Sequence, residues 1–236
     1  MSYFNSPKIA TNGLILCVDS GNTKSYPGTG ATWTDISRNS NTVTLTNTPT
    51  FSTANNGILT FSRTGVQYGE TSTSLANTPN WTAEAWVKFT TVPSANSTVS
   101  ALVTNIYNAV TFNLNFALTT SVDGVTFPGI YAAFFNGNWR HTSPHVPSAG
   151  VWYQYCGTYD GASIKLYVNG TLFSSTAYVG TAASGGAIRI ARRWDSTLTA
   201  NNMIDGAIPI VRVYNRALAA TEVLQNFNAN KGRYNL

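Results

Sequence analysis

Charge is what this sequence carries least of. Asp, Glu, Lys and Arg make up 10% of its 236 residues, against about a quarter in an ordinary soluble domain. A polar surface must therefore be built from Asn, Thr and Ser. The nine carboxylates are Asp19, Asp35, Glu70, Glu84, Asp123, Asp160, Asp195, Asp205 and Glu222, strung out with no two as close neighbours. A glycosidase of the two-carboxylate kind needs an acid and a second carboxylate flanking one bond. Glu84, the one acid inside a long strand pattern, lacks a partner on its own face, so no enzymatic activity is expected.

Histidine and cysteine are nearly absent too, with two of each. His141 and His145 have no Ser or Cys in a nucleophile context, and Pro144 and Pro147 place them in an irregular, exposed loop rather than on one helical face. That argues against a zinc site. Cys17 and Cys156 each lie in a strand-like apolar run, where a thiol behaves as a small buried hydrophobe. A bridge between them stays open, since strands far apart in sequence can be neighbours. No run approaches the ~18 apolar residues of a membrane span. The N-terminus lacks the pattern of a secretion signal, which fits a product that leaves the cell inside a particle and equally fits an ordinary cytoplasmic protein. The net charge of +5 is scattered, its densest group being Arg189, Arg192 and Arg193 beside Trp194. A nucleic-acid binder concentrates its cations in a patch, so no nucleic-acid partner is expected.

What the sequence has in abundance is short alternating runs. Leu14–Asp19 alternates with Leu14, Leu16 and Val18 on one face. Short β pieces follow at Val43–Leu45, Ile58–Phe61 and Val66–Tyr68, read as edge or rim strands. Trp81–Thr90 places Ala83, Ala85, Val87 and Phe89 opposite Glu84, Trp86 and Lys88. Further strands are predicted at 99–104, 110–118, Gly129–Phe135, Trp152–Tyr159, Ile188–Ala191 and Asp205–Tyr214, where Pro209 marks an edge or a bulge. SIKLYVNGTLFSS reads as a hairpin turning at Asn169-Gly170, a pair that tolerates positive φ. Leu218, Val223, Leu224 and Phe227 form the one helical stripe, over about 219–229. Many short strands and one terminal helix describe an all-β, two-sheet antiparallel jelly-roll sandwich occupying 1–236 as one domain, with 1–12 as a polar lead-in.

Three blocks carry a resemblance. DSGNTKSYPGTGATWTDIS resembles the opening of LamG-like, concanavalin A-type jelly rolls that serve as structural proteins of tailed phages, especially those of cyanobacteria. WTAEAWVKF with GVWYQYCGTYDGASIKLYVNGTL resembles the core strands of the wider LamG-like and pentraxin-like group, and IDGAIPIVRVYNRALAATEVLQNFNANKGRY the closing strand and helix of the phage proteins. The resemblance implies two antiparallel sheets of about six or seven strands, one concave, with rim loops where relatives bind glycans or calcium. It also implies a non-enzymatic virion protein, a capsid decoration or tail-fibre component used in assembly or adhesion. Its partners would be other virion proteins, further copies of itself and host-surface glycans. The alternative is a lectin module whose main task is host-glycan capture. Two positions depart from the phage pattern: FSRTGVQYGE replaces an FDGTNDY-like turn, and Ala219 stands where a Ser or Thr cap, worth about 1 kcal/mol, is usual.

Two sets of residues are candidates for a site. Sugar recognition uses an aromatic face with Asn or Asp for hydroxyls, which singles out Asn136, Asn138, Trp139 and Arg140, and Arg193, Trp194 and Asp195. The same tryptophans equally suit a subunit contact. Trp33, Trp81, Trp86 and Trp152 read as core. No cofactor is required, but calcium is a candidate ion because hard oxygen ligands on a loop suffice. Asp19, Asn22 and Asp35 flank the Gly-rich loop after the first strand, and Asp205 lies near the closing strand. The competing role for Asp19 and Asp35 is to accept loop amides and hold the turn.

Overall fold

A computed structural model describes residues 8–74, 79–92, 100–105, 113–120, 129–182, 186–193 and 203–236. In chain order its strands are β1 (Leu14–Asp19), β2 (Thr32–Trp33), β3 (Val43–Thr46), β4 (Thr50–Ser52), β5 (Ile58–Phe61), β6 (Tyr68–Ser74), β7 (Trp81–Phe89) and β8 (Ala101–Asn105). They continue with β9 (Asn113–Thr119), β10 (Tyr131–Asn136), β11 (Trp139–His141), β12 (Trp152–Tyr159), β13 (Ser163–Val168), β14 (Thr171–Ala177), β15 (Ala187–Ile190) and β16 (Gly206–Tyr214). Helix α1 (Ala220–Asn230) follows, continued by a 3-10 turn at Lys231–Tyr234. Among the described residues no helix is long and apolar enough to cross a membrane.

The strands form two antiparallel sheets of eight. The first runs β14-β13-β12-β7-β16-β5-β4, with β1 also on β16, and the second runs β11-β10-β9-β8-β15-β6-β3-β2. Eight per sheet exceeds the expected six or seven because short pieces such as β2, β4 and β11 join the rims. Period-two alternation sends Ala83, Ala85, Val87 and Phe89 of β7 into the core between the sheets, where they share one cluster with Val43, Leu118, Phe134 and Ile190 of the second sheet. At Gly157 in β12 the sheets come so close that a Cβ would lie 2.9 Å from that of Ala132, so any side chain there pushes them apart.

The outer face of the first sheet is covered as well. Trp86 stacks on Phe227 of α1, with ring centroids 5.7 Å apart, and on Tyr234 at 4.5 Å. The side-chain amide of Asn226 accepts the Ala10 N–H at 2.8 Å, tying the lead-in to the helix. Ala219 indeed has no side-chain acceptor. The helix start is closed from the other side, because Glu222 accepts the Ala219 N–H at 2.9 Å and is gripped by both terminal nitrogens of Arg216.

Several sequence expectations need correcting. A register shift between Leu14 and Leu16 turns Leu14 away from the main core, to pack with Tyr214 and Val223 on the outer face. Val66 sits in a turn at φ +52°, and the strand starts only at Tyr68. β3 and β5 each have neighbours on both sides rather than lying at an edge. Pro209 lies in the bulge of a central strand: lacking an N–H, it interrupts the β16–β7 register, while its carbonyl accepts the Ser20 N–H at 2.9 Å. Residue 99 of the strand expected at 99–104, and residues 110–112 of the one expected at 110–118, lie outside the described residues. The hairpin is as read, with Asn169 at φ +50° and Gly170 at φ +77°.

Candidate functional site

The segment read as a loop around Trp139 is in fact a strand. Asn136-Gly137-Asn138 reverses β10 into β11, with Gly137 at φ +89°, a conformation glycine adopts without steric cost. Register then assigns the faces. Arg140 opposes Phe134, a core residue, whereas Trp139 and His141 oppose Phe135 and Ala133 on the outer side. Because β11 ends the second sheet and β14 ends the first, the two rims enclose a cleft of about 590 Å³. One wall is Tyr131, Trp139, Arg140, His141, Thr142, Ser143 and Pro144; the other is Thr176, Ala177 and Tyr178.

The walls combine flat rings with hydrogen-bonding groups. Trp139 is half-buried and braced edge-on by Phe135 at 5.4 Å. Tyr178 is fixed at both its ring and its hydroxyl, for the Arg140 guanidinium lies 4.6 Å over the ring and Asn136 Nδ2 donates to the hydroxyl at 2.8 Å. The cleft volume falls within the range of small-molecule sites, and rings flanked by hydroxyls suit sugar C–H faces and hydroxyls respectively.

The structure joins only part of the expected contact set. Trp139 and Arg140 line the cleft, Asn136 positions it, and Asn138 is exposed at the tip of the turn, where its carbonyl accepts the Asn136 N–H at 3.3 Å. Arg193 is elsewhere, beyond β15, with its carbonyl facing Arg189 Nη1 at 3.4 Å in the group around Glu70. Trp194 and Asp195 lie outside the described residues. Tyr131, Thr142, Thr176 and Tyr178 were not singled out from sequence. Only the meeting of the β11 and β14 rims brings them together.

A family model described as the concanavalin A-like lectin/glucanases superfamily (Laminin_G_3) matches residues 62–224, more than half of the chain. The chain belongs to the concanavalin A-like lectin/glucanases superfamily. No curated protein matches it. Among solved structures it is similar to domain 4 of AbnA, a GH43 extracellular arabinanase from Geobacillus stearothermophilus in complex with arabinotriose. That match has a TM-score of 0.68 and 13% identity, over 90% of this chain and 97% of that one. It is also similar to the receptor binding domain of botulinum neurotoxin type G, at TM-score 0.63 and 15% identity over 92% of this chain and 51% of that one. A Trypanosoma rangeli sialidase matches at TM-score 0.63 and 14% identity, over 93% of this chain and 33% of that one. The chain thus spans the whole of the arabinanase domain but only half or a third of the other two. At these identities the likeness is one of fold.

Within this superfamily fold the candidate calcium ligands are already occupied. Asp19 accepts the Gly21 N–H at 2.8 Å and pairs with Arg233 Nη1 at 2.6 Å. Asn22 accepts the Lys24 N–H at 3.0 Å in its own turn. Asp35 accepts the Cys17 and Ser37 N–H groups on one oxygen, and the Ser37 hydroxyl and Asn41 N–H on the other. Asp205 accepts the Thr91 hydroxyl at 3.0 Å. Among the described residues no three His, Cys, Asp or Glu side chains gather as metal ligands. These donors do not fit a calcium cage, which needs six or more oxygens free to converge; they fit the turn-holding role. Addition of a chelator is accordingly expected to leave the thermal midpoint unchanged in a melting experiment, since an ion that bound only the folded state would raise it.

The histidines are not simply exposed. His145 shares a 2.7 Å hydrogen bond with the Tyr155 hydroxyl and packs edge-on against Tyr153 and Phe173. Burial lowers its pKa below the ordinary 6.5. The unfolded chain therefore takes up a proton before the folded one does, so this contribution to stability is complete above 6.5 and is lost as pH falls toward the folded value. Urea midpoints measured between pH 7 and 5 are expected to decline in the native protein and to decline less in His145→Gln. Cys17 and Cys156 are both free and buried, with thiol pKa values raised by that burial, so neither is a ready nucleophile.

Proposed function

We propose that this chain is a non-enzymatic binding component of a phage virion, a capsid-decoration or tail-fibre protein that adheres to host-surface glycans through the cleft between β11 and β14. The observation that carries the adhesive part is that cleft, where Trp139, Tyr131 and Tyr178 stand among Thr142, Ser143 and Thr176. The particle part rests on the phage resemblance of residues 19–37 and 204–234. Multiple copies would meet through surfaces such as β14, an uncharged rim strand that exposes Leu172 and Phe173. The seven carboxylates among the described residues each have a partner of their own, from the Asp19–Arg233 pair to Asp160 with Lys165.

The test is a panel of neutral and charged oligosaccharides, with arabinotriose among them, titrated against the native protein and Trp139→Ala. Saturable binding that weakens about tenfold or more on loss of the ring is expected, as for a buried aromatic anchor. A panel blank for the native protein would refute the adhesive part. Antibody labelling of purified particles checks the particle part: regular decoration of the shell or tail supports it, and no labelling refutes it.

A further inference from the structure

Among the described residues Arg140 has no carboxylate to pair with, unlike the arginines that fasten the sandwich. Arg189 holds Glu70, Arg212 holds Glu84, Arg216 holds Glu222 and Arg233 holds Asp19, all at 2.7 Å or less. Arg140 makes no ion pair and no hydrogen bond among the described residues, and its Nε is fully buried without an acceptor. Among the described residues no Asp or Glu lines the cleft around it. A buried N–H left without an acceptor costs stability, and the protein keeps this half-buried guanidinium in the wall of the cleft.

The geometry is also that of a prepared anion receptor. With its guanidinium carbon 4.6 Å over the Tyr178 ring, and Tyr178 held in turn by Asn136, the planar guanidinium is held in place. Its N–H groups radiate in that plane, the arrangement that meets a carboxylate or sulfate with two parallel hydrogen bonds. Resting on the glycan-binding reading above, we infer that the cleft selects anionic sugars, with Arg140 engaging the acidic group while the half-buried Trp139 carries a sugar face. The shared chemistry is an oxyanion on a pyranose that offers two oxygens to one guanidinium, supplied by a uronic acid or a sulfate ester.

Titration calorimetry with three probes tests this: an oligogalacturonate, its fully methyl-esterified form and a sulfated galactan oligosaccharide. The native protein is expected to bind one or both acidic probes at least about tenfold more tightly than the methyl ester, the worth of a charge-assisted pair, with affinity falling as salt rises. The preferred acid identifies the source. Arg140→Gln should erase the preference, weakening the acidic probes at least about tenfold more than the methyl ester, and Arg140→Lys should retain part of it. Trp139→Ala should weaken acidic and esterified probes alike. Equal affinity for acid and ester, or a preference that survives Arg140→Gln, would overturn the inference while the glycan reading stands. No binding of any probe, with Trp139→Ala indistinguishable from native, would overturn both.

Discussion

Arg212→Met, with Glu84 left in place, is expected to cost about 3–5 kcal/mol, because it strands a buried carboxylate. Glu84 is 0% exposed and Arg212 3%. Arg212 Nη1 lies 2.6 Å from Glu84 Oε1, and Nη2 donates to Asn230 Oδ1 at 2.7 Å. The other carboxylate oxygen accepts Asn226 Nδ2 at 2.7 Å, and that amide also reaches the Tyr214 hydroxyl at 2.9 Å. The network thus bolts α1 to β7 and β16. Glu84, the one acid that strand periodicity placed inside a long strand, is a fastener on the helix-covered face. Urea unfolding followed by circular dichroism measures the cost. The paired replacement Glu84→Leu with Arg212→Met should recover most of it, since an apolar pair of similar volume avoids the desolvation penalty. A single variant within about 1 kcal/mol of native would mean that the pair is not buried as described.

Trp86→Ala should be comparably damaging, at about 3–5 kcal/mol for a large aromatic emptied from a packed layer. Trp86 is fully buried between Phe227 and Tyr234, and Trp152 closes the same layer with its ring 4.4 Å from that of Tyr234. Among the described residues the Trp86 indole N–H has no acceptor, so the residue contributes surface and stacking rather than a hydrogen bond. Trp86→Phe is therefore expected to be far milder, below about 1.5 kcal/mol. Hydrogen exchange should locate the damage: the Ala variant loses protection in α1 before the central strands. Neither replacement touches the cleft, so Trp86→Phe should bind the oligosaccharide panel as the native chain does.

Most of the fold was legible because period-two alternation survives wherever one sheet face packs into the core and the other carries polar groups. Ala83, Ala85, Val87 and Phe89 announce the interior, and Trp86 on the opposite face announces that something must cover it. Asn169-Gly170 announces its turn through φ alone. The misreadings share a cause, since each depends on a local irregularity or on a distant partner. The bulge after Leu14 reverses a face that strict alternation assigns otherwise. β11 has only three residues, too few for a period, and the nearby prolines made the whole stretch look irregular. Asp19 gave no hint that Arg233 would arrive from the far end of the chain. Of the site, Trp139 and Arg140 were visible as an aromatic and a cation in a polar turn. Tyr178 was not, because it joins them only when the rims of two different sheets meet.

The cleft itself is most directly tested by the indole N–H signal of Trp139, assigned by comparison with Trp139→Phe and followed in 1H–15N spectra during titration with the tightest-binding oligosaccharide. Saturable movement of that signal and of the Arg140, Thr142 and Ala177 amides is expected, with the buried Trp33, Trp81 and Trp86 indoles unmoved. An oligosaccharide that binds while the Trp139 indole and those amides stay still would place recognition elsewhere on the sandwich and contradict the assignment.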